Sequence, residues 1–169
     1  MPEFSELRIE HGGIVIAGIE RSGDGTPIIL LHGVGGNALC FEPLMRAIGT
    51  RHVIALDMPG HGGSTDAQSW EMEPLADLVY SASRDLVKGR AIWGGHSWGG
   101  KLAAMIAATH PESIDALLLI DPSPASGIPI PAEMYVDATL PRVRHEGATT
   151  GIESDSQGER NAIQCSPQR

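Results

Sequence analysis

One serine stands where a backbone kink would hold its hydroxyl out. The pattern Gly95-His96-Ser97-Trp98-Gly99 lies between an apolar run, Arg90–Gly94, and an Ala-rich stretch, Trp98–Thr109, that reads as a helix. Glycines on both flanks let a strand turn sharply into a helix, which presents the serine at the strand's C-terminal end. The helix N-terminus beside it carries free N–H groups that favour a developing negative charge. A hydroxyl so placed suits nucleophilic attack on a carbonyl carbon. A second pattern, His32-Gly33-Val34-Gly35-Gly36, follows the apolar run Pro27–Leu31. A glycine-rich turn there frees backbone N–H groups to point into the same end of a sheet. The N–H groups of Val34 and Trp98 are the expected pair of oxyanion donors.

Other polar residues read as structural. His32, at a strand end beside glycines, suits a hydrogen-bonded structural role more than that of a base. In the loop Asp57-Met58-Pro59-Gly60-His61-Gly62-Gly63-Ser64, Asp57 is expected to accept backbone N–H groups of its own turn. The same loop leaves His61 a structural part too. Trp98 should pack near the pocket as well as lend its N–H. His52 and His110 fall at element ends and read as surface residues. Met45, Met72 and Met105 lie on helical apolar faces and read as packing, not metal ligands.

The elements that must position these groups alternate. Leu7–Glu10 and Ile14–Ile19 are β-rich and joined by His11-Gly12-Gly13, a hairpin pattern. Pro27–Leu31, His52–Leu56, Arg90–Gly94 and Ile114–Ile120 read as strands. Continuous apolar runs of this kind belong to strands buried on both faces. Helices are expected over 38–48, with Asn37 as N-cap, over 70–87, and over 98–109. The fold class is therefore α/β, a mostly parallel sheet with helices on both faces. Residues 1–140 read as its core. Ala132–Leu140 reads as a short helix, and 141–169 is too poor in apolar residues, without period, to offset its ordering entropy.

Composition narrows the partners. Lys plus Arg number 12 against 21 for Asp plus Glu, a net charge of −9, which argues against nucleic acid. No apolar run approaches the length of a membrane span, roughly 18 residues. Two distant cysteines, Cys40 and Cys165, make neither a disulfide framework nor a zinc site, so a reducing cytoplasmic setting is the default. Neither a P-loop, a dinucleotide fingerprint nor metal-spaced His and Cys residues occur, so neither cofactor nor metal is expected, and the partner is a small-molecule substrate.

In combination, the hairpin, the strand ending in His32-Gly33, the Asp57–Ser64 loop and Gly95-x-Ser97-x-Gly99 resemble the N-terminal part of α/β-hydrolase fold proteins. The motifs keep the family's order and cover roughly residues 5 to 122. Within the fold they are similar to the esterase, lactonase, C–C hydrolase and proline-iminopeptidase-like group. Ser97 is unlike the dehalogenase and epoxide-hydrolase branches, which carry aspartate there. The resemblance implies a serine hydrolase acting on an ester or related carbonyl compound, with Ser97 as catalytic nucleophile. It also implies the chain order serine, acid, histidine. Asp121, at a strand end, is a formal candidate acid. Beyond Ile120 the one histidine is His145, in a charged, aperiodic stretch unlike a triad base. Family members run about 100 residues longer, by analogy, and the family-like text here stops between Leu140 and Gly151. The expectation is a fold truncated before its last strands. The alternative to an active hydrolase is an inactive fragment or pseudoenzyme lacking the triad histidine. An Ile114–Ile120 strand left at a sheet edge would be an apolar association surface, so self-association is expected.

Overall fold

Among the described residues, six strands and three helices carry the architecture. The structure, a computed structural model, describes residues 3–123. The expected helix at 132–140, the tail 141–169 and His145 lie outside the described residues.

Strands β1 (Ser5–His11) and β2 (Ile14–Arg21) form the expected hairpin, antiparallel with His11 opposite Ile14 across a Gly12-Gly13 turn. The remaining strands are β3 (Asp24–Leu31), β4 (Arg51–Leu56), β5 (Ala91–His96) and β6 (Ile114–Ile120). The sheet order is β1-β2-β4-β3-β5-β6. β2 pairs antiparallel with β4, and β3, β4, β5 and β6 run parallel to one another. From β3 the chain moves outward to β4, then returns past β3 to build β5 and β6. The direction of winding thus reverses between β3 and β5. In open α/β sheets the crevice at the strand C-termini beside such a reversal is where ligands bind. The turns after β3 and β5 are the two glycine-rich motifs.

Strand periodicity divides the core into two layers. Ile28 and Leu30 of β3 and Val53 and Ala55 of β4 face one side, with Ala38, Phe41 and Met45 packed on them. Their alternates Ile29, Leu31, Ile54 and Leu56 face the other side, with Trp93 of β5. There they meet Leu75, Ala76 and Val79 of α2 (Met72–Ser83) and Leu102, Ala103, Ile106 and Ala107 of α3 (Trp98–Thr109). Burial on both faces is why these strands read as unbroken apolar runs. Each fully buried Leu or Ile contributes roughly 1.5–3 kcal/mol.

Two elements and two histidines depart from the sequence expectation. The helix over 38–48 is split into a 3-10 turn, Ala38–Phe41, and α1 (Glu42–Ala47). Pro43 has no N–H to give an earlier carbonyl, so the chain restarts with proline in the first turn. Asn37 does cap the 3-10 turn, its side chain accepting the Leu39 N–H. α2 is shorter than 70–87. It begins at Met72, leaving Trp70 exposed, and after Ser83 the chain tightens into a 3-10 turn at Arg84–Leu86. His52 and His110 are half-buried and paired, not simple surface groups. His52 Nε2 lies 2.7 Å from Glu20 Oε1, and His110 Nε2 lies 3.0 Å from Asp77 Oδ1 while its ring stacks on Tyr80 at 3.8 Å. Met45 is fully buried, and Met72 and Met105 pack against the larger core layer, as read.

Candidate active site

Ser97 occupies the single residue between β5 and α3. Its backbone has φ 52° and ψ −118°, a region that L-residues rarely adopt. Such a conformation costs about 1–3 kcal/mol and persists only where its surroundings enforce it. Here the enforcement is visible. The Ser97 N–H donates to the Ile120 carbonyl at 3.1 Å, and the Ser97 carbonyl accepts the N–H groups of Lys101 at 3.1 Å and Ser123 at 3.0 Å. The flanking glycines are required by close approach. A Cβ at Gly95 would sit 2.3 Å from the Gly99 carbonyl carbon, and one at Gly99 would sit 2.1 Å from the Leu31 carbonyl oxygen. Strand, kink and helix are thus pressed together without side chains between them. The Ser97 side chain is half-buried, and its Oγ lies 3.3 Å from Ser123 Oγ.

The turn after β3 rests against this kink. A Cβ at Gly33 would lie 3.1 Å from Ser97 Cβ and 3.2 Å from His96 Nδ1. The Gly36 N–H closes the turn on the Gly33 carbonyl at 3.1 Å. Gly35, its third residue, has φ 76°, the value a type II turn needs and the reason for glycine there. Val34, the second residue, is 77 % exposed. Among the described residues neither the Val34 N–H nor the Trp98 N–H has a hydrogen-bond acceptor. The structure therefore brings Ser97, Trp98 and the Gly33–Gly36 turn to one place.

Beneath the turn, three polar side chains brace the backbone. His32 is buried. Its Nε2 accepts the Met58 N–H at 2.9 Å, so its proton sits on Nδ1 and donates to the Gly33 carbonyl at 2.7 Å. His61 repeats the pattern, with Nε2 accepting from Gly35 N–H at 3.2 Å and Nδ1 donating to the Pro59 carbonyl at 3.0 Å. The two rings meet edge to face, with centroids 5.1 Å apart. Asp57 takes the Gly63 N–H of its own loop at 2.8 Å, as expected. It also takes the Ala38 N–H at 2.7 Å, which ties the loop to the chain after the Gly33–Gly36 turn.

Burial lowers the pKa of His32 below the ordinary imidazole value. The His61 ring acts in the same direction, while the Gly33 carbonyl and Asp57 oppose it and lose. The unfolded chain would take a proton at this histidine near pH 6.5, roughly, and the folded chain only at lower pH. Between the two the unfolded state binds more protons, so stability is full above the unfolded value and falls as pH drops towards the folded one. The urea midpoint is expected to decrease between pH 7.5 and pH 5.5, and less in His32→Gln. A midpoint equally flat in both proteins would contradict this placement.

Asp121 and Ser123 complete the surroundings. Asp121 has φ 40° and is exposed, so it leads the chain back towards Ser97 without touching a histidine among the described residues. Ser123 is the residue that sequence reasoning missed: a serine between prolines looks like an irregular connection. Its one available signal was its position three residues past a strand end. One apolar contact adjoins the kink. Trp98 lies 6.1 Å from Trp70 between ring centroids, and Val34, Leu39 and Trp70 are the exposed large apolar residues among those described. Also among the described residues, no group of three or more His, Cys, Asp or Glu is arranged for a metal, and no helix is long and apolar enough to cross a membrane.

A sequence model of the alpha/beta hydrolase fold matches residues 26–143. The chain belongs to that family. The relatives it matches are longer proteins. The chain is 37 % identical over 118 residues to a dihydrolipoyllysine-residue acetyltransferase component of the acetoin cleaving system of Pseudomonas putida, covering 67 % of this chain and 31 % of that one. It is 32 % identical over 123 residues to a 2-(acetamidomethylene)succinate hydrolase of Mesorhizobium japonicum, covering 72 % and 44 %. Its backbone superposes on the crystal structure of a membrane phospholipase A with a TM-score of 0.66 and 32 % identity, over 72 % of this chain and 40 % of that one. The chain thus spans less than half the length of these alpha/beta hydrolase relatives.

Proposed function

We propose that the chain carries the nucleophile half of a serine hydrolase acting on a carboxylic ester or related carbonyl substrate. The observation that carries this reading is the strained backbone of Ser97, set at the strand-to-helix kink against a turn whose Val34 N–H lacks an acceptor among the described residues. Strain enforced by tight glycine packing has no evident structural benefit, and functional sites are where such strain collects. In the proposed reaction Ser97 Oγ bonds to the carbonyl carbon as its proton passes to a base. The N–H groups of Val34 and Trp98 hold the resulting oxyanion. The carbonyl re-forms as the C–O bond to the alcohol breaks, the alcohol leaves with the proton, and water then releases the acyl group from Ser97. Two of the relatives named above are called a hydrolase and a phospholipase, which supports this class of chemistry.

The base is not among the described residues in hydrogen-bond contact with Ser97. His32, His52, His61 and His110 are each bonded elsewhere, and the partner of Ser97 Oγ is Ser123. The second reading is a chain that holds the kink without completing a triad itself. Hydrolysis of a p-nitrophenyl ester separates them. Turnover by the full chain that disappears in Ser97→Ala supports the hydrolase. Turnover equal to buffer in both proteins, arising only on adding a C-terminal hydrolase polypeptide, supports the incomplete chain.

A further inference from the structure

The loop Asp57–Ser64 belongs to no step of the reaction above, yet it reaches the turn beside Ser97 through one ring. We propose that His61 is a positioning residue for the Gly33–Gly36 turn, its neutral imidazole accepting the Gly35 N–H and so selecting one of the two orientations open to the central peptide. The catalytic consequence rests on the Ser97 reading, but the structural claim does not.

Types I and II differ mainly by a flip of the peptide between the second and third residues, here Val34 and Gly35. Glycine at the third position favours type II without forbidding type I, so the sequence of the turn does not hold the observed state by itself. The Gly36 N–H to Gly33 carbonyl bond is common to both types and does not choose either. What distinguishes the observed state is the direction of the Gly35 N–H, which points at His61 Nε2 at 3.2 Å. A flip would turn it away and bring the Val34 carbonyl round instead. His61 is itself held by its Nδ1 donor on Pro59 and by its edge-to-face contact with His32, so the acceptor has supports besides the turn.

The arrangement works in one protonation state. A protonated ring has two donors and no acceptor, so its Nε2–H would face the Gly35 N–H. The groups that face His61 and its turn are His32, Asp57 behind His32, Asp66 over Gly60, and His96 over Gly33. A proton on Nε2 would therefore remove the bond that selects the observed turn.

The test uses the ¹⁵N-labelled full chain, followed by amide and imidazole NMR from pH 8 to pH 5. The Gly35 amide resonance is expected to move with the same midpoint as the His61 ring, which should be the Nδ1–H tautomer at high pH. His61→Gln keeps a neutral acceptor and should hold the Gly35 resonance steady with pH. His61→Phe keeps a ring without an acceptor and should speed Gly35 amide exchange about tenfold, as loss of one hydrogen bond implies. A Gly35 amide indifferent to pH and to both substitutions would overturn the proposal. So would an Nε2–H tautomer. If His61→Phe does not fold, the wild-type titration decides alone. In parallel, fluorophosphonate labelling at Ser97 should slow about tenfold in His61→Phe and recover in His61→Gln. Equal labelling of wild type and His61→Phe would also overturn the proposal. Absence of labelling in the wild type would count against the Ser97 reading instead, leaving the amide result to judge His61.

Discussion

Alanine at Gly99 is expected to destabilise the fold by about 3 kcal/mol or more, a fall in Tm of roughly 6–12 °C for a chain of this size. The added methyl would meet the carbonyl oxygens of Leu31 at 2.1 Å and His32 at 2.5 Å. Both obstacles are backbone of the central strand and its exit, so neither can swing aside as a side chain would. Relief requires α3 to lift from β3, which opens the contact of Leu102 and Ile106 with the larger core layer. Because α3 begins at the kink, the same movement displaces Ser97. Thermal unfolding followed by circular dichroism checks the claim. A Gly99→Ala protein within 1 °C of wild type would show that the helix does not lie as close to β3 as described.

Replacing Ser97 separates strain from chemistry. Ser97→Ala keeps a Cβ and therefore keeps the cost of φ 52°. Its stability is expected to stay within about 0.5 kcal/mol of wild type. Ser97→Gly removes the Cβ and the steric penalty together. Part of that gain is offset by the greater freedom of glycine in the unfolded chain, leaving about 1 kcal/mol of stabilisation, a rise in Tm of roughly 2–4 °C. Both variants should lose serine-dependent ester turnover, by on the order of 10⁶-fold where a complete triad operates. Removing a residue normally costs stability, so a more stable, inactive Ser97→Gly is the signature of a site held in tension for function. Equal or lower stability in Ser97→Gly would mean that the kink is relaxed.

The strands, the helix over 98–109 and the burial of the sheet on both faces were legible because period and punctuation agreed. Ile28–Leu31 and Val53–Leu56 are too short for buried helices and are bounded by turn residues, and Trp98–Thr109 is bounded by a kink and by Pro111. The split at Pro43 was in the sequence too, but the apolar spacing of Phe41, Leu44, Met45 and Ile48 spoke louder than the missing N–H. The kink at Ser97 was legible from its glycines, which carry no side chains where strand and helix touch. What could not be read was long-range hydrogen bonding. Nothing near His61 in sequence announces that its ring reaches Gly35, 26 positions away. Likewise Asp57 was expected to serve its own turn and also serves Ala38. Such bonds depend on where the sheet order places two loops, and residue periodicity reports which face an element buries without fixing its neighbours.

The central claim is that Ser97 is a nucleophile. Its most direct test is mass spectrometry of the full chain after exposure to a fluorophosphonate. The account predicts one adduct per chain, on the peptide holding Gly95–Lys101, absent from Ser97→Ala and undiminished in Ser81→Ala, a serine on α2. Adduct on another serine, or equal labelling of wild type and Ser97→Ala, would contradict it.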